Sequence, residues 1–182
     1  MKILMVGTGY VGLVSGLCFA EFGFETVCID KDQNRLQNIK EGNSPFFEPG
    51  LDDLLNKHIN STKLLKLSSN LPKEVKNAEV IFITVGTPSR RLVDDADLSS
   101  VYDVVREIAA NIDSYSVIVT KSTVPVGTTN KIKSIISEKI SQDKFDVVAN
   151  PEFLREGSAL DDFMRPDRVV IGTDSEKAEL DN

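Results

Sequence analysis

Hydrophobic residues along the chain fall into short apolar runs that alternate with longer stretches of helical periodicity. Short runs rich in valine and isoleucine, closed by glycine or polar residues, are typical of buried strands. They predict strands at residues 2–6, 25–29, 64–67, 80–84, 116–120, 146–149 and 168–171. The periodic stretches between them predict helices at residues 10–22, 33–40, 99–111 and 128–140.

This alternation of strands and helices predicts an α/β fold. Strands that are apolar throughout are buried on both faces, which indicates a mainly parallel, doubly wound, Rossmann-like sheet with helices on both sides. Loops at residues 42–50, 87–97 and 150–166 interrupt the pattern, and loops of this length often carry function. We expect one domain over residues 1–182, and its abrupt end suggests that it is cut from a longer protein.

The balance of charges restricts the classes of partner. The 182 residues include 21 Lys plus Arg and 28 Asp plus Glu, which gives a net charge of −7. Nucleic acids and anionic membranes attract basic surfaces, so this balance argues against both partners. No apolar run is long and uninterrupted enough to predict a membrane span.

Cysteine usage indicates the compartment. Cys18 and Cys28 lie in apolar segments and form no disulfide framework, which favours a reducing, cytoplasmic location. The apolar stretch at residues 3–20 follows Lys2 and could resemble a secretory signal, but glycine and polar residues interrupt it repeatedly. We therefore expect core thiols in a cytoplasmic protein.

A glycine-rich motif stands where the first strand meets the first helix. It reads Gly7-Thr8-Gly9-Tyr10-Val11-Gly12, and Asp30 ends the next predicted strand. This context is the one that the dinucleotide-binding fingerprint requires. The first glycine permits a tight turn, the second lets a pyrophosphate approach the helix N-terminus, and the third allows close helix–strand packing.

The acidic residue after the second strand bears on the choice of cofactor. A carboxylate at Asp30 accepts hydrogen bonds from adenosine ribose hydroxyls and repels a 2′-phosphate, which favours NAD over NADP. Lys31 and Arg35 follow closely, so NADP is not excluded by the residues alone. A glycine-rich turn beside a solvated aspartate is the structural alternative.

Three later loops follow strands whose carboxyl ends should meet at one edge of the sheet. They contain residues 84–89, residues 121–128 and residues 150–157. The first two are rich in small hydroxyl residues and glycine, which suit either a ligand crevice or ordinary turns. In the third, Glu152 and Glu156 would share a face if the loop were helical, and either could accept a proton. A solvated acidic loop with Arg155 paired locally is the alternative.

Six motifs taken together resemble a known family. They occur in the order GTGYVGLVSGLCFAEFG, GNSPFFEPGLDDLL, VGTPS, KSTVPVGTT, NPEFLREGSALDDF and RPDRVVIG. In this order they resemble the NAD-binding domain of the UDP-glucose/GDP-mannose dehydrogenase family, and the resemblance covers essentially the whole chain. Six ordered motifs are far more specific than a single glycine fingerprint.

The resemblance implies an NAD-dependent oxidation of the C6 alcohol of a nucleotide sugar to a carboxylate, with two NAD reduced per turnover. The substrate implied first is UDP-glucose, with UDP-glucuronate as product, and the alternatives are GDP-mannose or a UDP-N-acetyl sugar. It also implies that the full-length enzyme is a homodimer or larger homo-oligomer. A noncatalytic module that senses NAD(H) is the alternative from another class.

The resemblance also assigns residues. Its catalytic assignments are Thr123, which positions a water or the reacting sugar, and Glu152, an acid/base or water-orienting group. The residues that the resemblance places beside the substrate are Glu152, Phe153, Leu154, Arg155 and Glu156. Those that contact the cofactor are Gly7, Thr8, Gly9, Tyr10, Val11, Gly12, Asp30, Arg35, Val85, Gly86, Thr87, Pro88, Ser89, Ser122, Thr123, Val124 and Glu156.

Two expected features of a complete catalytic or metal site are missing from this sequence. The family's nucleophilic cysteine belongs to later domains, and neither Cys18 nor Cys28 has a matching motif, so we expect the chain alone to be inactive. The single histidine, His58, follows a leucine-rich helix and is expected at the surface. It has no second histidine or cysteine nearby, so no metal site is predicted.

Overall fold

A computed structural model describes residues 1–88, 96–175 and 178 of the chain. The strands are β1 Lys2–Val6, β2 Glu25–Ile29, β3 Leu65–Ser68, β4 Val80–Ile83, β5 Ser116–Thr120 and β6 Phe145–Ala149. The α-helices are α1 Tyr10–Glu21, α2 Gln33–Lys40, α3 Leu51–Asn56, α4 Leu71–Val75, α5 Ser99–Ala109, α6 Thr128–Ser137 and α7 Ala159–Met164. A π-helical turn at Lys57–Ser61 and a 3₁₀ turn at Gln142–Lys144 complete the elements. Within these ranges no helix has the length and apolarity to cross a membrane.

All strands belong to one parallel sheet, which confirms the predicted doubly wound α/β fold. The order is β3-β2-β1-β4-β5-β6, so the chain moves outward from β1 in one direction and then restarts at β4 on its other side. β1 pairs with β2 and with β4 in parallel register. The carboxyl ends of β1 and β4 therefore lie side by side where the order reverses, which is where ligands bind in such sheets.

Two hydrophobic cores cover the two faces of the sheet. Side chains alternate along β1, so that Ile3 and Met5 face one core while Leu4 and Val6 face the other. The first core packs against α1, α3 and α7, and the second packs against α4, α5 and α6. Burial of each large aliphatic side chain stabilises the fold by about 1.5–3 kcal/mol.

Helix α1 lies close to the sheet because its inward face is small. A Cβ at Gly16 would stand 2.6 Å from Cys28 Sγ, so no larger residue fits between the helix and β2. Ala20 is fully buried one turn further on. The apolar segment that resembles a signal sequence thus forms the central strand and its covering helix.

Both cysteines are buried core thiols, as predicted. Burial raises the pKa of Cys18 and of Cys28 to about 12, because a thiolate would lose its hydration there. Neither thiol is therefore a nucleophile at neutral pH.

The prediction of a last strand at residues 168–171 is wrong. Only Gly172 pairs with the sheet, through an isolated antiparallel bridge to Ala149. Val169 and Val170 are 63% and 43% exposed, so their apolar side chains do not enter a core in this chain. The segment is strand-like in composition, but its backbone pairing with β6 is limited to this bridge.

Two helices were missing from the prediction. α7 forms inside the loop predicted at residues 150–166, and α4 forms between β3 and β4. Asn70 is the N-cap of α4 and its side chain accepts the Lys73 N–H, with Pro72 in the first turn of the helix. Helices this short contain too few residues to show a clear helical periodicity of hydrophobic positions.

The expectation of a surface histidine is also wrong. His58 is 1% exposed and lies in the π-helical turn, with Nε2 2.7 Å from Glu21 Oε2 and Nδ1 2.9 Å from Thr62 Oγ1. Both ring nitrogens therefore have hydrogen-bond partners, so burial of the imidazole leaves no polar atom unsatisfied. The residue fastens the turn after α3 to the end of α1.

Candidate functional site

The turn from β1 to α1 is packed so tightly that it requires glycine. Gly7 has φ +110°, and a Cβ there would lie 2.8 Å from the Thr84 carbonyl oxygen. A Cβ at Gly12 would collide with the Gly7 carbonyl and lie 2.6 Å from Thr84 Oγ1. The Thr84 hydroxyl hydrogen-bonds to the carbonyl oxygens of Val6 at 3.0 Å and Gly7 at 2.9 Å, which fixes the turn against the end of β4.

Gly9 has the opposite environment. A Cβ there would meet no atom within 4 Å, so the space in front of this residue is open. Gly9 is the N-cap of α1, and no side chain caps the helix at this end. The first N–H groups of a helix have no partner inside it and attract anions. The turn therefore fits a pyrophosphate group.

Asp30 lies beside this turn at the end of β2. Its Oδ2 accepts hydrogen bonds from the Thr8 hydroxyl at 2.6 Å, the Thr8 N–H at 3.0 Å and Arg35 Nη1 at 3.2 Å. Its Oδ1 accepts the Asp32 N–H at 3.0 Å. Burial alone would raise the pKa of Asp30, but these donors, led by the Thr8 hydroxyl, hold it below its usual value. Asp30 is thus an ionised acceptor next to the glycine turn.

The loops after β4 and β5 are joined to each other. The Ser122 hydroxyl donates to the Val85 carbonyl oxygen at 2.8 Å, and the Thr87 hydroxyl donates to the Thr123 carbonyl oxygen at 3.1 Å. Gly86, in the first loop, has open space where a Cβ would point. Pro88, Thr123 and Val124 belong to the same pair of loops, with Thr123 exposed and Val124 half-buried. The predicted residue Ser89 lies outside the described residues.

The loop after β6 is not helical where the two glutamates stand, so Glu152 and Glu156 do not share a helix face. Glu152 is half-buried and its Oε2 accepts the Leu154 N–H at 2.6 Å, which curls the side chain over its own loop. Glu156 and Phe153 are exposed, and Leu154 packs on the core that contains α1. This loop reaches the same edge of the sheet as the two preceding ones.

Arg155 is engaged locally, as the alternative interpretation expects. Its Nη2 and Nε lie 2.6 Å and 3.1 Å from the two carboxylate oxygens of Asp162, and its backbone N–H donates to the same carboxylate. Its guanidinium thus ties the loop to α7.

Sequence reasoning missed a buried lysine at the end of β5. Lys121 is 7% exposed, with Nζ 2.9 Å from Asn150 Oδ1 and 5.6 Å from the centre of the Phe163 ring. Asn150 in turn donates to the Val170 carbonyl oxygen at 2.9 Å. Burial lowers the pKa of Lys121 to about 8, opposed in part by the negative charge of Glu152. A lysine directly after a strand with a Val-Ile-Val centre is the signal that could have identified it.

Sequence reasoning also missed Glu48. This carboxylate is 5% exposed and accepts hydrogen bonds from the Tyr10 hydroxyl at 2.6 Å and the N–H groups of Gly157 and Ala159, each at 2.8 Å. Burial alone would raise the pKa of Glu48, but these donors hold it below its usual value. Burial and the carboxylate of Glu48 raise the pKa of Tyr10.

The neighbours of Glu48 differ from each other in exposure. The Phe46 ring packs on Tyr10 at 4.8 Å between centroids, whereas Phe47 is 87% exposed. Of these two rings, Phe46 is half-buried and Phe47 is exposed.

A cleft of about 800 Å³ lies beside the loop after β6. Its polar lining includes Lys121, Asn150 and Glu152, and its apolar lining includes Phe19 and Phe163. The glycine turn does not line it, and the lining also includes Met1, Ile3 and Val80 at the amino ends of β1 and β4. The cleft thus reaches from the loop after β6 toward the opposite edge of the sheet.

The sequence model described as "UDP-glucose/GDP-mannose dehydrogenase family, NAD binding domain" matches residues 1–181. The chain belongs to this family. Within the family it is the NAD-binding domain, which agrees with the glycine turn, the ionised Asp30 and the resemblance of the six motifs.

Individual relatives and solved structures agree with the family. A UDP-glucose 6-dehydrogenase of Rhizobium meliloti is 54% identical over 96% of this chain, and the TuaD UDP-glucose 6-dehydrogenase of Bacillus subtilis is 46% identical over 97%. A UDP-glucose dehydrogenase structure from Pyrobaculum islandicum superposes with a TM-score of 0.92 at 36% identity, covering 98% of this chain and 42% of that one. The chain spans 40% and 38% of the length of the two curated relatives.

Proposed function

We propose that this domain serves a longer NAD-dependent UDP-glucose 6-dehydrogenase, which oxidises the C6 alcohol of UDP-glucose to the carboxylate of UDP-glucuronate. Two NAD are reduced in each turnover. The observation that carries the proposal is the glycine turn beside Asp30, at the same sheet edge as the loops that hold Thr123 and Glu152. Cofactor and substrate loops thus share one edge of a single rigid sheet.

The chain's own residues supply binding, orientation and proton handling. The N-terminus of α1 holds the pyrophosphate, and Asp30 accepts hydrogen bonds from the adenosine ribose hydroxyls. The bound NAD supplies a hydride acceptor. The joined loops after β4 and β5 orient it, with Val85, Thr87 and Ser122 held by their mutual hydrogen bonds.

On the substrate side, Thr123 and Glu152 have distinct roles. Thr123 is exposed on the loop after β5 and positions the reacting sugar or a water molecule. Glu152 is half-buried beside the cleft, where its carboxylate accepts a proton or orients a water. Phe153, Leu154 and Glu156 border the sugar, and Glu156 also lies toward the nicotinamide. The ammonium of buried Lys121 provides positive charge near Glu152.

The choice of sugar nucleotide follows from the relatives at 54% and 46% identity, both named UDP-glucose 6-dehydrogenases. A GDP-mannose dehydrogenase structure from Pseudomonas aeruginosa superposes nearly as well, with a TM-score of 0.90 at 35% identity. Turnover of the full-length enzyme with UDP-glucose, GDP-mannose and UDP-N-acetyl sugars decides between them. We propose that this enzyme works as a homo-oligomer in the cytoplasm, where its buried thiols stay reduced.

The first test is calorimetric titration of the 182-residue chain with NAD and with NADP. We expect saturable NAD binding that exceeds NADP binding and weakens about tenfold or more in Asp30→Ala, because the ribose loses its charged acceptor. Asp53→Ala, an exposed carboxylate on α3, is the matched control and should bind NAD as the unmodified chain does.

Two further results would contradict the proposal. No NAD binding by a folded chain and by the full-length protein would refute the dehydrogenase assignment. NAD binding by a full-length protein that oxidises no nucleotide sugar would favour a noncatalytic NAD(H) sensor. The 182-residue chain alone should produce no NADH from UDP-glucose.

A further inference from the structure

Glu48 is a buried carboxylate to which the proposed function gives no role. It stands in the loop at residues 42–50, and its donors come from two distant parts of the chain. One is the Tyr10 hydroxyl at the start of α1, and the others are the N–H groups of Gly157 and Ala159 at the start of α7. A single side chain therefore joins three segments that are remote in sequence.

The joined segments are those of the proposed site. Tyr10 belongs to the Gly7–Gly12 turn, and Gly157 closes the loop that carries Glu152 and Glu156. The Tyr10 hydroxyl also lies 3.3 Å from the Arg155 carbonyl oxygen, so Tyr10 approaches the substrate loop directly as well. The cofactor turn and the substrate loop are thus in contact through Glu48.

The chemistry of this junction requires an ionised carboxylate. Glu48 faces hydrogen-bond donors, and among the described residues no Lys, Arg or His forms an ion pair with it. An ionised carboxylate only accepts hydrogen bonds, with two oxygens available. Glutamine would turn its NH₂ group toward one of these donors, and a buried donor left without an acceptor is unfavourable. Glu48→Gln therefore opens the junction while keeping the side-chain size.

We propose that Glu48 is a positioning residue that couples cofactor binding at the Gly7–Gly12 turn to the position of the loop at residues 150–157. A ligand that fixes the start of α1 fixes Tyr10, which orders Glu48 and, through it, the N–H groups of Gly157 and Ala159. The inference rests on the proposed function, because it needs the cofactor at this turn. Coupling between two binding events is reciprocal, so an ordered substrate loop also favours cofactor binding.

Amide hydrogen exchange followed by NMR tests the coupling in the 182-residue chain. The rates at Gly157 and Ala159 are compared without NAD and with NAD at roughly ten times the Kd measured for each variant, where the site is nearly filled. In the unmodified chain we expect NAD to slow exchange at both amides about fivefold or more, the lower end of typical coupling. In Glu48→Gln we expect no slowing.

Two control variants separate coupling from loss of stability. Val75→Ala creates a cavity in the core on the other face of the sheet, and Glu138→Gln changes an exposed carboxylate just after α6. Both should keep the NAD-dependent slowing at Gly157 and Ala159. Glu48→Asp keeps the charge on a shorter side chain that cannot reach all three donors, so it should also lose the slowing. It replaces Glu48→Gln if that variant does not fold.

The outcomes distinguish this inference from the proposed function. If the unmodified chain binds NAD without slowing these amides, the coupling is wrong and the cofactor site stands. If Glu48→Gln or Glu48→Asp unfolds at a lower temperature but keeps the slowing, Glu48 has only a structural role and the inference fails. If neither the unmodified chain nor the full-length protein binds NAD, both this inference and the proposed function fail. If only the full-length protein binds NAD, the same exchange comparison is made there and decides the coupling.

Discussion

At the scale of single residues, the glycines of the β1–α1 turn have separable roles. Gly12 is enclosed by the Gly7 carbonyl and Thr84 Oγ1, whereas Gly9 faces open space. A methyl group at position 12 strains the fold itself. A methyl group at position 9 costs the fold little and occupies the space that a pyrophosphate needs. Stability and cofactor binding can therefore be perturbed independently within one motif.

This difference predicts that alanine at position 12 lowers stability, whereas alanine at position 9 weakens NAD binding. Gly12→Ala should lower the free energy of unfolding by roughly 1–3 kcal/mol, as overpacking typically does. Gly9→Ala should change it by less than about 0.5 kcal/mol, as expected where no packing is disturbed, and should weaken NAD binding. Urea unfolding and calorimetric titration measure the two quantities. Equal loss of stability in both variants would contradict the interpretation of the turn.

At the scale of elements, strand β5 has a hydrogen-bonding serine at each end, Ser116 at its first residue and Ser122 two residues after its last. The Ser116 hydroxyl donates to the Ala78 carbonyl oxygen at 2.7 Å at the amino end of the strand. The Ser122 hydroxyl donates to the Val85 carbonyl oxygen at 2.8 Å just beyond the carboxyl end. The two bonds are of similar length, but only the second lies at the edge where the site forms.

Alanine substitutions of these two serines should cost similar stability but differ in their effect on NAD binding. Ser116→Ala and Ser122→Ala should each lower the free energy of unfolding by about 0.5–1.5 kcal/mol, the usual net value of one hydrogen bond. Only Ser122→Ala should weaken NAD binding, since it separates the loops after β4 and β5. Calorimetry on both variants is the measurement, and similar weakening in Ser116→Ala would disprove a specific role for that link.

At the scale of the whole molecule, stability should depend on pH through Lys121. Its pKa is lowered to about 8 by burial, so between pH 8 and the usual lysine value the unfolded chain binds more protons than the folded chain. The free energy of unfolding therefore rises with pH in this interval. Below it both states are protonated and the contribution is constant.

Comparison with Lys121→Met isolates this contribution. From pH 7 to pH 10, the unmodified chain should gain up to about 3 kcal/mol of stability relative to the variant. The buried thiols Cys18 and Cys28 act in the opposite direction in both proteins and cancel in the comparison. Urea unfolding at several pH values measures the difference. A difference that does not change with pH would show that the ammonium of Lys121 is not desolvated.

The strands of the sheet could be predicted from the sequence because each is a short, mostly apolar run with a recognisable end. The β1–β6 runs are closed by glycine or polar residues, and the glycine fingerprint fixed the first turn and the position of Asp30. The prediction failed where tertiary contacts decide. His58 is buried because its ring nitrogens hydrogen-bond to Glu21 and Thr62. Residues 168–171 form no strand because backbone pairing with β6 is limited to Gly172.

In the candidate site too, features set by local sequence could be predicted and features set by tertiary contacts could not. Its glycine turn and hydroxyl loops follow from local spacing, so they could be identified in the sequence. Glu48 and Lys121 matter because of partners that are distant in sequence, namely Gly157 and Asn150. A charged residue in a mostly apolar or Pro-Gly-rich segment gives no indication of which partner it meets. Their hydrogen-bond partners are therefore identified only once the chain is folded.

The burial of both thiols has a practical consequence for spectroscopy. Alkylating reagents attack thiolates, and Cys18 and Cys28 hold their protons far above neutral pH. A cysteine introduced by Val126→Cys, at a fully exposed position in the loop after β5, would be the reactive thiol of the folded chain. A fluorophore attached there reports on the rim of the site without removal of the native cysteines.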